Sequence, residues 1–209
     1  ISACLVGSEM CIRDRYGYGQ YDEAAHRTAH FTPLPHFTGE AYQGGEKLPN
    51  PKLGWVTLNA AGGHPGNDRE HAAIRRWISP IDGVVGISGA ISHKQTEGDG
   101  VRACIISSRL GELASWNVFH MSAGTNLDGV DVKKGDTIDF LVDCRDSVLD
   151  DSFEWTPIIK AVAPAVAGDD GPAEWNAATG FAGPEPKRLD AWVKYAQVLL
   201  ESNEFVFVD

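Results

Sequence analysis

Acidic side chains gather in one stretch in the second half of the chain. The run VDCRDSVLDDSFEW follows a strand-like segment and carries the carboxylates of Asp143, Asp146, Asp150 and Asp151. Carboxylate and main-chain carbonyl oxygens in one loop are ligands that Ca²⁺ prefers. Asp146, Asp150 and Asp151 are therefore candidate metal ligands, with calcium as the ion. The run lacks the DxDxDG regularity of an EF-hand, which favours the alternative, a solvated loop whose Asp side chains cap turns.

Tryptophans are the second group that could do chemistry, because an exposed indole stacks on a sugar ring while polar neighbours hold its hydroxyls. The chain has six: Trp55, Trp77, Trp116, Trp155, Trp175 and Trp192. We predict a ligand site where the Gly98-Asp99-Gly100 turn meets the loop from Asp146 to Asp151. Its residues would be Asp99, Arg102, Trp116, Asp151 and Trp155, with Asp99 and Asp151 either accepting hydrogen bonds from sugar hydroxyls or holding a calcium ion. Alternatively these indoles belong to the core, and we expect at least two of Trp77, Trp116 and Trp155 to be buried.

Motifs for catalysis are missing from the sequence. It contains neither a GxSxG nucleophile motif nor an HExxH motif, and its seven histidines have no metal-ligand spacing. His26 and His30 could join Asp22 around a metal only if that segment were helical. No catalytic residue is assigned, and a binding module is favoured over an enzyme.

Charge excludes two classes of partner. The chain has 18 Lys and Arg against 29 Asp and Glu, a formal net charge of −11. Binding to nucleic acid or to an anionic membrane surface needs a basic stripe, which the sequence lacks. No apolar run approaches the roughly 18 residues of a membrane span. We expect a soluble protein with no nucleic acid and no membrane as partner.

Short β-type runs separated by turns dominate the middle of the chain. In DTIDFLVDC, Ile138, Phe140 and Val142 share one face of a strand, and Asp139, Leu141 and Asp143 share the other. Further runs start at Gly54, Ala72, Gly83, Gly100, Glu112 and Phe153. The pattern predicts a mainly β fold, an antiparallel two-sheet sandwich or jelly roll.

The predicted organisation has five parts. Residues 1–15 precede an irregular N-terminal arm, 16–52, which is rich in Gly, Pro and His and drapes over the core. The sandwich covers 53–163, and a Gly/Ala/Pro-rich linker covers 164–188. One amphipathic α-helix with a short tail covers 189–209, with Leu189, Trp192, Val193, Ala196, Leu199 and Leu200 at helical spacing.

Two cysteines of this region, Cys104 and Cys144, lie in apolar strand-like runs. Their separation fits neither a zinc site nor a haem-attachment motif. Buried free thiols and a disulfide across neighbouring strands are both open.

The first fifteen residues, ISACLVGSEMCIRDR, resemble a translated sequencing-adapter read-through. We expect this segment to be disordered and to add nothing to the fold.

The closing string WVKYAQVLLESNEFVFVD resembles the end of large planctomycete proteins that join a cytochrome c-like domain to planctomycete-specific domains of unknown function. RRWISPIDGVVGISG, KKGDTIDFLVD and DDSFEWTPII are similar to a galactose-binding-like, carbohydrate-binding β-sandwich that such proteins carry. The resemblance implies a C-terminal fragment of an extracytoplasmic protein, periplasmic or secreted. Haem c would belong only to the part upstream, since its motif is absent here.

The resemblance implies a non-catalytic module for carbohydrate binding or for domain scaffolding. Its partners would be a glycan or polysaccharide and the upstream domains of the parent chain. No cofactor is expected in this fragment apart from the candidate calcium. The alternative function is an accessory part of a polysaccharide-processing or redox enzyme whose catalytic residues or haem lie upstream.

Overall fold

The structure, a computed structural model, describes residues 15–162 and 174–184 together with Trp192, Tyr195, Ala196 and Val198. Within these residues the fold is mainly β, with strands that pair antiparallel in three sheets. One 3₁₀ helix, Arg69–His71, precedes a central strand and is capped by Asp68, whose side chain accepts the Glu70 N–H. The predicted antiparallel β-sandwich class is confirmed.

The first sheet has six strands and contains the most extensive strand pairing. Its strands, in spatial order, are β11 (Gly111–Val118), β10 (Val101–Ser107), β14 (Thr137–Asp143), β7 (Ala72–Ile78), β1 (Arg15–Asp22) and β2 (Arg27–Pro33).

Seven short strands form the second sheet, and four form the third. The second sheet consists of β12 (Met121–Gly124), β9 (Ala90–His93), β15 (Phe153–Trp155), β6 (Gly62–His64), β5 (Thr57–Asn59), β4 (Ala41–Gln43) and β3 (His36–Phe37). The third consists of β13 (Leu127–Val132), β8 (Gly83–Ser88), β16 (Ile158–Ala161) and β17 (Glu174–Asn176).

Period-two alternation builds the main core. On β14, Ile138, Phe140 and Val142 are buried in this core, as their spacing predicts. Their neighbours Asp139, Leu141 and Asp143 lie on the opposite face of the strand, and they too are buried. The six-stranded sheet is therefore covered on both faces.

The outer face of the six-stranded sheet, which is the face opposite the main core, is covered by the β1–β2 hairpin. The prediction of an irregular arm over 16–52 is therefore wrong for these two strands. The segment drapes over the sheet, but as regular strands: β1 pairs with β7 and with β2. The glycines that suggested a loop allow close approach instead. A Cβ on Gly19 would lie 1.9 Å from the His30 carbonyl oxygen and 2.9 Å from Ile74.

The hairpin is hydrogen-bonded to other parts of the sheet, as far as the opposite edge strand β11. Thr28 donates to the Asp139 carboxylate at 2.8 Å. Arg27 donates to the Ser108 carbonyl at 2.8 Å. The Glu112 N–H on β11 donates to the His26 carbonyl at 2.8 Å. Beneath the hairpin lies a second apolar cluster consisting of Tyr21, Ala72, Ile74, Cys104, Ile106 and Leu141, with Phe31 packed on it.

The segment 164–188, predicted to be a linker, is ordered against the sandwich over 174–184. Ile159 of β16 pairs with Trp175 of β17. The Trp175 ring stacks on Phe140 with 6.2 Å between centroids, and Phe181 packs 4.8 Å from Tyr16. These aromatic contacts give the Gly/Ala/Pro-rich segment the buried surface that its composition did not indicate.

Two predicted parts fall mainly outside the described residues. Of residues 1–15, only Arg15 is described, as the first residue of β1. Of the predicted C-terminal helix, the structure describes Trp192, Tyr195, Ala196 and Val198, all of them exposed.

Cys104 and Cys144 are buried free thiols, so the disulfide alternative is not what the structure has. Burial raises the pKa of each thiol to about 12. Both cysteines are consequently packing residues in their thiol form at neutral pH.

Candidate functional site

Loops from several strands meet at one end of the sandwich. These are the loops that precede β7 and β10 and the loops that follow β11 and β14. Arg69, before β7, donates to the Arg145 carbonyl at 2.8 Å and pairs with Asp146 at 3.0 Å. His93, at the end of β9, donates from Nε2 to the Asp150 carbonyl at 2.9 Å. This loop end is where the sequence predicts a ligand site.

The turn at Asp99 and the loop after β14 do meet there. The Asp99 carboxylate accepts the main-chain N–H groups of Asp146 and Ser147, each at 3.1 Å. Arg145 donates to the Asp99 carbonyl and lies 4.0 Å from its carboxylate. Asp99 thus fixes the loop in the manner of a turn cap, with one main-chain N–H on each carboxylate oxygen.

Arg102 is also held by protein partners. Its guanidinium binds the Asp143 carboxylate at 2.6 Å and the Glu23 carboxylate at 2.5 Å, and it lies over the Tyr21 ring, 4.8 Å from the centroid. It lies beneath the hairpin on the outer face of the six-stranded sheet. Arg102 therefore ties the hairpin to the sheet.

The two tryptophans predicted as stacking platforms pack in the core or against it. Trp155 is 3% exposed, and its indole N–H donates to Thr125 at 3.1 Å. Trp116 is half-buried, with its ring 6.5 Å from that of Trp155. Trp77 is buried as well, so the expectation of at least two core indoles is confirmed. In residues 15–162 the exposed indole is that of Trp55, 45% exposed and 6.4 Å from the His64 ring.

Asp151 is the unusual residue of the loop end. It is fully buried, and neither of its carboxylate oxygens has a hydrogen-bond partner among the described residues. Burial, together with the nearby carboxylates of Asp99 and Asp143, raises the pKa of Asp151 to about 7. A buried carboxylate without partners is costly, so this position needs a physical explanation.

The other two predicted metal ligands are placed differently. The Asp146 side chain is 84% exposed and pairs with Arg69. Asp150 is exposed, and it uses its carbonyl for His93. Within the part of the chain that the structure describes, no three His, Cys, Asp or Glu side chains converge so that they could hold a metal ion. The three predicted ligands therefore do not form a metal set by themselves.

A second candidate site is an open groove on the seven-stranded sheet. It has a volume of about 370 Å³ and is lined by Ala61, Ala90, Ser92, Ser122, Glu154, Trp155 and Thr156. That volume lies within the range of about 300–1,000 Å³ that is typical of ligand pockets.

Strand register explains how the groove acquires its polar side chains. Ser92 of β9 is paired with Ser122 of β12 on one side and with Glu154 of β15 on the other. Paired residues point to the same face, and here it is the outer one, because the alternate residues Ile91 and Trp155 are buried. Two hydroxyls and a carboxylate thus form a row across three strands.

The hydrogen bonds and the ion pair that these three side chains make within the protein leave them able to bind a ligand as well. Glu154 pairs with Lys94 at 2.6 Å, and both side chains are more than half exposed. Ser122 donates to the Ile91 carbonyl at 3.2 Å. Small side chains, Ala61 and Ala90, lie beside the row and keep the groove open. The arrangement offers donors, acceptors and small apolar patches on one surface.

Sequence reasoning did not single out the groove. The three polar residues of the row lie on strands that are distant in the chain, and two of them are serines in runs without a motif. Pairing register would have been needed to bring them together.

Comparison of the chain with models of known protein families, with curated proteins and with solved structures gave no match. Among the described residues, no helix has the length and apolar character needed to cross a membrane.

Proposed function

We propose that this chain is a non-catalytic carbohydrate-binding module and that the groove on the seven-stranded sheet holds the glycan. The observation that carries the proposal is the row of Ser92, Ser122 and Glu154 along an open groove of about 370 Å³. Hydroxyl and carboxylate side chains on a rigid sheet suit the many hydroxyls of a sugar.

Charge supports a neutral glycan as the ligand. The net charge of the chain is −11, which opposes a polyanionic polysaccharide. Lys94 and Glu154 offer one donor and one acceptor at the edge of the groove, where a neutral sugar can bridge them.

The groove gives no support to glycoside cleavage. That reaction uses two carboxyl groups on opposite sides of the glycosidic bond. Glu154 is the one carboxylate among the residues that line the groove, and it is ion-paired with Lys94. The β-sandwich is compatible with a module that binds without reacting.

The test is glycan binding by the full chain in affinity gels and on a glycan array. Glu154→Ala removes the carboxylate, and Ala90→Trp fills the groove from an exposed position. Loss of a hydrogen bond to a charged group costs about 1.5–3 kcal/mol, which corresponds to a weakening of binding of about tenfold or more. Ala90→Trp should abolish binding by filling the site.

A matched control exists on the third sheet. Glu174 of β17 pairs with Lys160 at 2.9 Å, and both side chains are about half exposed, as in the Lys94–Glu154 pair. Glu174→Ala should leave glycan binding unchanged. If it weakens binding as much as Glu154→Ala does, the groove is not the site.

Domain scaffolding is the second candidate function. It draws support from Trp192, Tyr195 and Val198, which are 80%, 57% and 64% exposed. Exposed apolar side chains of this size are typical of surfaces that pack on another domain. Scaffolding alone predicts that no glycan is retained and that the chain associates through these residues, which sedimentation of a Trp192→Glu variant would reveal.

Origin and location belong to the same proposal. The resemblance to planctomycete cytochrome c-type proteins supports an extracytoplasmic location and upstream domains as partners. An upstream enzyme or haem domain would then use this module to hold its substrate.

A further inference from the structure

We propose that the loop end of the sandwich binds a calcium ion through the carboxylate of Asp151, with Asp99 as the second side chain. This site is distinct from the glycan groove and does not rest on the proposed function. Of the candidate metal ligands Asp146, Asp150 and Asp151 it keeps only Asp151, and it takes Asp99 from the ligand site that the sequence predicts.

Asp151 is the residue that points to a bound cation. Its side chain is completely buried, and both oxygens lack a hydrogen-bond partner among the described residues. A folded protein normally pairs such a group, coordinates a metal with it or keeps it neutral. The free oxygens of Asp151 are the kind of ligand that a hard cation takes.

Local charge also points to a bound cation. Asp99, Asp143 and Asp150 are the acidic neighbours that act on Asp151, and Arg145 is the basic one. Asp143 is paired with Arg102, which also binds Glu23, while Arg145 lies beside Asp99. Asp150 and Asp151 have no ion pair among the described residues, so once Asp151 is ionised they carry two negative charges, which one divalent cation compensates.

Asp99 is suited to share the ion. Its two oxygens each accept one main-chain N–H from the loop after β14, at 3.1 Å. A carboxylate oxygen has two lone pairs, so each retains one for a cation. Because no third acidic side chain converges on this position within residues 15–162 and the other described parts of the chain, main-chain carbonyls and water would complete the shell, as is usual for Ca²⁺.

The stability of the loop after β14 should depend on the bound ion. Asp99 joins the turn before β10 to the loop that follows β14. A cation shared by Asp99 and Asp151 would cross-link both ends of that loop and remove the repulsion between them. Calcium should consequently stabilise the folded chain.

The experiment is thermal unfolding of the full chain at pH 8 after treatment with chelator, with and without calcium chloride, alongside calcium titration by calorimetry. At a calcium concentration 100 times the Kd, we expect the unfolding midpoint to rise by about 5–10 °C. Calorimetry should show one site. An unchanged midpoint with no binding heat would overturn the proposal.

Two variants locate the site. Asp151→Asn keeps the shape and removes the charge, so the chelator-treated variant should fold and show no rise with calcium. Asp146→Asn changes an 84% exposed side chain of the same loop and should respond as the wild type does. A full calcium response in Asp151→Asn, or its loss in Asp146→Asn, would contradict a site centred on Asp151. Glycan binding by Glu154→Ala is measured separately, so failure of either proposal is recognised by itself.

Discussion

The Tyr21 hydroxyl donates a hydrogen bond to the Glu112 carboxylate, 91 residues further along the chain. Tyr21 is on β1 and Glu112 on β11, and three strands, β10, β14 and β7, lie between them in the sheet. The bond exists because the hairpin folds back over the outer face. Burial and this hydrogen bond raise the pKa of Tyr21 well above its usual range, so the hydroxyl remains a donor at neutral pH.

Tyr21→Phe should loosen the hairpin. Loss of a hydrogen bond to a charged acceptor predicts a decrease in the free energy of unfolding of about 1.5 kcal/mol. Tyr18→Phe is the control on the same strand, because the Tyr18 side chain makes ring contacts with His71 but no hydrogen bond among the described residues. Urea unfolding measures both. Equal stability of the two variants would show that the hydroxyl bond is unimportant.

Gly19→Ala tests how closely the hairpin lies on the sheet. The new methyl group would lie 1.9 Å from a main-chain oxygen of β2, so one of the strands must move. We expect a loss of stability of about 1–3 kcal/mol, the range for overpacked positions. Gly124→Ala on β12 is the control, since nothing lies within 4 Å of the Cβ position there. Similar stability of both variants would contradict the close packing.

Sequence patterns located the strands that alternate or run apolar, and they did so for a physical reason. β7, β10 and β14 have large apolar residues at the positions that face the core, as in Ile138, Phe140 and Val142. β1 was not predicted as a strand because its residues alternate between Tyr and Gly, a pattern that is typical of a loop when the partner strand is unknown. β12 has one large apolar residue, Met121, and in β13 the apolar alternation is interrupted at Asp128 and Gly129, where the register with β8 shifts.

The sites were harder to predict than the fold. Convergence of the Asp99 turn with the loop after β14 follows from neighbouring strands, and the structure shows it. The sequence of a strand does not determine whether a tryptophan in that strand is exposed. Trp155 is covered by Phe140, whose ring lies 5.3 Å away and belongs to another sheet. The groove likewise depends on register between three strands, which local sequence does not determine.

Trp155→Ala should therefore act on stability. Removing a buried indole predicts a loss of about 3–5 kcal/mol. Trp55→Ala, at an indole that is 45% exposed, should cost about 1 kcal/mol or less. Denaturant unfolding of both variants compares them. A stable Trp155→Ala protein that has lost glycan binding would restore the original assignment of this indole as a stacking platform.

Cys104 and Cys144 should resist thiol reagents in the folded protein. Both are buried and have a pKa of about 12, so little thiolate exists at pH 8. We expect alkylation of both peptides after denaturation and almost none before it, as measured by mass spectrometry. Rapid alkylation of either cysteine under native conditions would mean that the hairpin or the loop after β14 opens readily.

Asp151 predicts a dependence of stability on pH when calcium is removed. Its folded-state pKa of about 7 lies above the ordinary value of 3.8, so the folded protein binds more protons than the unfolded chain between those values. The contribution of Asp151 is therefore favourable below about pH 4 and is lost as the pH rises to about 7. The slope from this single group reaches at most about 1.4 kcal/mol per pH unit.

Other carboxylates oppose this trend, and the difference between two proteins isolates it. The pKa of Asp136 is lowered by its hydrogen bond to Arg109, so the contribution of Asp136 to the stability of the folded protein increases as the pH rises. Asp151→Asn retains Asp136 and loses only the Asp151 titration. Urea unfolding of both proteins with chelator at pH 4.5, 6 and 7.5 should show the variant becoming more stable relative to the wild type at each step. Parallel curves would mean that Asp151 has an ordinary pKa, because a carboxylate that is already ionised at pH 4.5 contributes no change over this interval.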